Sequence, residues 1–150
     1  MVNDEKLRFD FSHNFPISDT ELEKIENLVN KVILQNTKVN TKILVHQSAI
    51  NEGAIALFGE KYGEEVRVIS MGEDMDSYFS KELCGGTHVN YTGEINKFKI
   101  INQYSVASGV RRLEAVSNIG VDNFINTQEV NAKEANIRIE QEINKYFNLI

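Results

Sequence analysis

Hydrophobic and polar positions alternate over residues 7–12, which is the period of a half-buried strand. After a turn at residues 14–16 the period changes, and apolar side chains recur every three or four positions over residues 19–35, as on one face of a helix. Ser18 and Glu21 have the spacing of a capping box at the start of that helix. The pattern therefore predicts a strand followed by a long helix.

Short β-rich segments dominate the middle of the chain. A short helix is predicted over residues 48–56, and turn-like sequences at 61–63 and 72–74 flank one of the strands. Because only one long helix lies among many strands, we predict an α+β fold in which an antiparallel sheet packs with that helix. The predicted strands cover residues 39–45, 66–69, 78–83, 98–101 and 110–116.

The end of the chain returns to a helical period. Apolar side chains between residues 121 and 147 are separated by Glu, Lys, Asn and Gln, which predicts an amphipathic helix, or a broken helix pair, of about 25 residues. This segment either packs on the sheet or connects to a further domain. It shows no sustained heptad repeat, so the pattern leaves oligomerisation open.

Composition excludes several classes of protein. The chain is 41% hydrophobic and 25% charged, as in ordinary globular domains. It contains no apolar run long enough to cross a membrane, and its first 15 residues lack a secretory signal. A single cysteine excludes an intramolecular disulfide framework and fits a reducing compartment. We therefore expect a cytoplasmic protein.

Charge is unevenly distributed. The net charge of −6 argues against a protein that coats nucleic acid non-specifically, but residues 84–120 carry +2 while residues 1–83 carry −6. Arg111 and Arg112 are adjacent on a predicted strand, so their side chains point to opposite faces. Guanidinium groups suit phosphate oxygens, although either arginine can instead pair with Glu114.

The segment Cys84-Gly85-Gly86-Thr87-His88 places a thiol and an imidazole four positions apart around two glycines. These are zinc donors, and the glycines allow the tight turn that brings them together, yet they supply only half of a four-ligand site. His13 and His46 would together complete a set of one cysteine and three histidines. A structural Cys with a hydrogen-bonded His is the alternative interpretation.

A thiol nucleophile with His88 as its base is the rival chemistry for Cys84. The sequence offers neither a third orienting group nor an oxyanion hole for it. The chain also lacks a glycine-rich phosphate loop, and hence a nucleotide site of its own.

Four motifs in this order resemble the editing domain of the bacterial multidomain alanyl-tRNA synthetases. The motifs are LRFDFSH (7–13), GAIALFGEKYG (53–63), ELCGGTHV (82–89) and GVRRLEA (109–115). The resemblance covers residues 7–118. It implies that residues 1–118 form the C-terminal portion of an editing domain, the second additional domain of these synthetases, and that residues 119–150 lead toward a C-terminal domain.

The resemblance implies a hydrolase that clears serine or glycine wrongly attached to alanine tRNA, using water beside a zinc ion. Cys84 and His88 correspond to one pair of zinc ligands, and the resemblance assigns no catalytic residue. The other pair is a His-x-x-x-His segment upstream of the first strand, which this sequence lacks. We therefore expect a fragment with a half-built zinc site and no activity alone. The parent enzyme would join alanine to its tRNA with ATP and Mg²⁺, both bound only in its catalytic domain.

The expected partners are the acceptor end of tRNA(Ala) and the rest of the synthetase chain, with no membrane. Binding of RNA by this basic segment is expected to be weak and salt-sensitive. Two alternatives stay open: a free-standing aminoacyl-tRNA editing hydrolase, and a non-catalytic module whose terminal helix docks a partner. The candidate RNA contacts are Lys97, Lys99, Arg111 and Arg112.

Overall fold

A computed structural model describes residues 1–57, 61–74 and 77–147. The motif over residues 53–63 and the segment 119–150 each extend beyond these ranges. The predicted α+β class is confirmed. In chain order the elements are β1 (Leu7–Ser12), α1 (Asp19–Leu34), β2 (Asn40–Val45), α2 (His46–Asn51), β3 (Glu65–Asp74), β4 (Ser77–Leu83), a 3-10 helix (Thr92–Ile95), β5 (Phe98–Ala107), β6 (Val110–Ser117) and α3 (Ile119–Phe147).

The chain divides into two compact units. Unit 1 consists of Met1–Pro16 and Lys99–Ile150, and unit 2 of Ile17–Phe98. The strands form two antiparallel sheets of three strands, in the orders β1-β6-β5 and β2-β3-β4. Alternation along the sequence identifies strands but not their partners, which is why the expected antiparallel sheet proves to be two.

Unit 2 contains the predicted long helix. Its capping box is present, because Ser18 Oγ accepts a hydrogen bond from the Glu21 N–H at 3.4 Å and Glu21 Oε2 accepts one from the Ser18 N–H at 2.9 Å. At its other end the Gln35 amide exchanges two hydrogen bonds with the Glu73 backbone, at 2.8 and 2.9 Å. These contacts fix α1 against β3. The core cluster of unit 2 comprises Ala49, Ala54, Val66, Val68 and Leu83.

The predicted turn at residues 72–74 is wrong, because β3 continues through it to Asp74. Gly72 has φ of +69°, and a Cβ atom there would lie 2.7 Å from both Phe79 Cβ and Val32 Cγ1. The glycine therefore permits close packing between β3, β4 and α1 rather than a chain reversal. The short predicted helix is present as α2, displaced toward the N-terminus.

Unit 1 is built around the pairing of β1 with β6. The register sets Asp10 opposite Arg112, and the Arg112 guanidinium donates hydrogen bonds of 2.6 and 2.7 Å to the two carboxylate oxygens of Asp10. Arg112 also lies over the Tyr104 ring, 6.0 Å from its centroid. Lys6 Nζ lies 2.8 Å from Glu114 Oε1 on the same face. This face of the sheet is thus held by paired charges.

The C-terminal segment is one continuous helix, α3, rather than a broken pair. Val121 is buried, and Gly120 approaches Val116 of β6. From Ile125 to the end of the helix every side chain is exposed. Within the described ranges, no helix is long and apolar enough to cross a membrane.

Candidate functional site

The Cys-Gly-Gly-Thr-His segment forms the loop that directly follows β4. Cys84 is a half-buried free thiol, and its N–H donates a 3.1 Å hydrogen bond to the Arg67 carbonyl on β3. His88, four residues further on, is exposed. The β3–β4 pairing, in which Val68 lies opposite Leu83, therefore fixes where the loop begins.

Arg67 also holds the loop through its side chain. Its Nη1 group donates one hydrogen bond to the Cys84 carbonyl at 3.4 Å and another to the Gly86 carbonyl. A Cβ atom at Gly86 would lie 3.5 Å from Cys84 Sγ, so the chain turns closely around the thiol there. The sequence pattern gave no role to Arg67, which lies 17 residues before Cys84.

Local electrostatics favours a neutral imidazole at His88. Partial desolvation lowers the pKa of His88 below its usual 6.5, and the positive charge of Arg67 lowers it further, against an opposing contribution from Glu82. Neutral imidazole is the form that ligates a metal ion.

The donor chemistry of this loop fits zinc, which accepts a thiolate sulfur and an imidazole nitrogen. Among the residues that the structure describes, however, no three His, Cys, Asp or Glu side chains form a group that could hold a metal. His46 stacks on Tyr62, with ring centroids 5.5 Å apart, and His13 of unit 1 packs against Phe11 at 6.2 Å. A zinc site that used Cys84 and His88 would therefore need ligands from outside the described residues.

A small open cavity adjoins the thiol. Its volume is about 190 Å³. Tyr62 in its wall is held in place twice, by the stacking on His46 and by its hydroxyl, which accepts a 3.0 Å hydrogen bond from the Leu57 N–H. The cavity is lined by Lys61, Tyr62, Gly63, Glu65, Val66, Arg67, Leu83, Cys84 and Gly85.

The candidate RNA-binding residues lie outside this cavity. Arg112 is bound to Asp10, whereas Arg111 points to the other face of the sheet, where its Nη2 donates a 3.1 Å hydrogen bond to Gln103 Oε1. The predicted Arg–Glu alternative names the wrong acidic partner, because Glu114 pairs with Lys6. Predicting the correct partners would have required knowing that β1 pairs antiparallel with β6. Two further candidates, Lys97 and Lys99, are half-buried.

Comparison with known proteins shows which proteins this chain is similar to. Residues 66–114 match the family described as Threonyl and Alanyl tRNA synthetase second additional domain. Over 138 residues, 90% of the chain, it is 50% identical to an alanine–tRNA ligase of Parvibaculum lavamentivorans, and it is 50% identical over 140 residues to one of Chelativorans sp.. The chain is similar to a segment of alanine–tRNA ligases. It spans 16% of the length of each of these two synthetases.

The segment that matches the synthetase domain contains most of the site described above. It starts at Val66 in β3 and ends at Glu114 in β6, so it includes Arg67, the whole loop from Cys84 to His88, and part of the cavity wall. The resemblance to alanyl-tRNA synthetases is therefore confirmed.

Proposed function

We propose that this chain forms the later part of the editing domain of an alanyl-tRNA synthetase, with residues 1–118 in that domain and residues 119–150 leading toward a C-terminal domain. The domain hydrolyses the ester that joins serine or glycine to the terminal ribose of tRNA(Ala). The observation that carries this proposal is the Cys84–His88 loop, which lies in the family-matched segment and is held by Arg67 beside a cavity.

Cys84 Sγ and a ring nitrogen of His88 would hold a zinc ion, together with two ligands from a His-x-x-x-His segment elsewhere in the synthetase. Bound zinc supplies a Lewis acid for ester hydrolysis. The part of this chain is to present the two donors: Arg67 fixes the carbonyls of Cys84 and Gly86, and β4 fixes the start of the loop. With two of four ligands, the chain alone is inactive.

The rest of the proposed activity belongs to the parent synthetase. It joins alanine to tRNA(Ala) in the cytoplasm and binds ATP and Mg²⁺ in its catalytic domain, outside this chain. The partners of this chain are then the acceptor end of tRNA(Ala) and the remainder of the synthetase. Arg111, Arg112, Lys97 and Lys99 stay candidate RNA contacts.

The decisive test is Cys84→Ser in the full-length synthetase that carries this sequence. We expect loss of bound zinc and at least a roughly 10-fold slower deacylation of seryl-tRNA(Ala), since a metal ligand matters no less than the groups that orient it. Attachment of alanine should be unchanged. His13→Gln, which alters a histidine that packs against Phe11 in unit 1, is the matched control. Undiminished deacylation by the Cys84→Ser enzyme would contradict the proposal.

Zinc content of the isolated chain separates this proposal from a self-sufficient hydrolase. After exhaustive dialysis we expect far less than one zinc per chain. A value near one, lost in Cys84→Ser, would mean that His13, His46 or a second copy completes the site, and would establish the free-standing alternative.

A further inference from the structure

We propose that the cavity beside Cys84 is an anion subsite in which Lys61 and Arg67 bind a phosphate group of the RNA 3′ end. The identity of the RNA rests on the proposed function, whereas binding of the anion does not. The cavity shares Cys84 and Gly85 with the candidate metal loop, so an anion bound there lies next to the site of ester hydrolysis.

The Arg67 side chain has N–H donors that are not used in its hydrogen bonds to the loop. Both of its hydrogen bonds to described residues leave from Nη1, to the carbonyls of Cys84 and Gly86. Its Nε and Nη2 groups have no acceptor among those residues. A guanidinium fixed at one nitrogen presents the others in a set geometry, which suits the paired oxygens of a phosphate.

Lys61 supplies a second cation to the same wall. Its ammonium group is exposed and makes no ion pair with a described residue, and Glu65 is the carboxylate that lines the cavity with it. Two cations against one carboxylate leave the cavity with a net positive charge. The apolar walls at Val66 and Leu83 strengthen the attraction, because they lower the local dielectric.

The size of the cavity indicates which part of the RNA would enter it. A volume of about 190 Å³ is below the range of sites that enclose drug-sized molecules. It therefore suits a group of the size of one phosphate. On an aminoacylated RNA, the negative charge closest to the ester is the phosphate on the 5′ side of the terminal ribose. That group is the expected occupant.

Contacts within the chain hold the wall of the cavity in place. Tyr62 is fixed by its ring stacking and by its hydroxyl, and Arg67 by the two loop carbonyls. Binding therefore requires little ordering of the protein, which lowers the entropic cost of capturing a small anion.

The test is an NMR titration of the 150-residue chain with inorganic phosphate and, separately, with the trinucleotide CCA. Both should shift the backbone amides of Tyr62, Arg67 and Gly85, with CCA binding more tightly. In Lys61→Gln the Kd for both should rise about 5-fold, the size of one screened charge contact. Lys42→Gln, which removes the same charge from β2 outside the cavity, should leave both values unchanged.

Equal weakening by Lys61→Gln and Lys42→Gln, or no shift at the cavity amides, would overturn the subsite. If CCA binds no more tightly than phosphate, the ligand is free phosphate and the assignment to RNA fails. A full-length synthetase that loses deacylation with Cys84→Ser, but keeps its KM for seryl-tRNA(Ala) with Lys61→Gln, would refute this inference and leave the proposed function intact.

Discussion

Asp10 and Glu114 each gain a cationic partner when unit 1 folds. The hydrogen bond from Arg112 lowers the pKa of Asp10 below its usual 3.8, and the hydrogen bond from Lys6 lowers the pKa of Glu114 below its usual 4.5. A carboxylate whose pKa is lower in the folded state stabilises that state above its unfolded pKa, and the effect disappears as the pH falls through the folded value. Unit 1 should therefore lose stability in acid.

Asp10→Asn tests this pH dependence. The variant keeps the size of the side chain but removes the charge, so we expect it to be less stable than the parent at pH 7 and closer to the parent at pH 3. Urea unfolding at the two pH values provides the measurement. Asp4→Asn, at an exposed position before β1, is the control. A gap between Asp10→Asn and the parent that is as wide at pH 3 as at pH 7 would contradict the assignment.

At the same scale, the sequence predicts Cys84 and His88 as a pair of zinc donors but does not predict the residues that hold their loop. The two donors are four positions apart, so their relationship is local and visible in the sequence. The contact of Arg67 with the Cys84 carbonyl depends on the pairing of β3 with β4, and the contact of Asp10 with Arg112 spans 102 positions. Such contacts require a strand register, which the pattern of one chain does not supply.

Gly72 shows how an element can depend on one missing side chain. Gly72→Ala would place a methyl group 2.7 Å from Phe79 Cβ and from Val32 Cγ1, at a φ that L-residues rarely adopt. We expect a loss of about 1–3 kcal/mol in the free energy of unfolding, measured by urea denaturation. In Gly63→Ala the new methyl group would meet its nearest neighbour, the Glu65 carbonyl, at 3.7 Å, so this variant is the control. Equal stability of the two variants would be inconsistent with tight packing at Gly72.

Comparison of β1 and α1 with β3 shows which elements can be predicted reliably from the sequence. Alternation identifies β1 at its observed bounds, and the apolar period with the capping box identifies α1 to within one residue. These signals are local. The ends of β3 depend instead on its neighbours, because pairing with β4 carries the strand through Gly72, where the local sequence favours a turn.

At the scale of the whole molecule, α3 is the element that packing stabilises least. Its side chains are exposed from Ile125 onward, and helices in proteins owe most of their stability to the packing of one face. We expect its backbone amides beyond residue 125 to exchange with solvent much faster than those of β6, as measured by hydrogen exchange with mass spectrometry. Protection equal to that of β6, with a dimer that becomes a monomer when residues 119–150 are removed, would instead show that a second copy covers this helix.

The pairing of β1 with β6 also sets an order of events on the ribosome. Unit 2, a continuous stretch from Ile17 to Phe98, has all its strands as soon as that stretch is made, whereas β1 must wait for a partner that begins at Val110. At about 5–20 residues per second, roughly 100 further residues take on the order of 5–20 s. During that interval the nascent chain carries an unpaired strand ahead of a unit that is free to close. Chaperones that shield extended segments would act at this stage, on the segment of β1 rather than on the growing end.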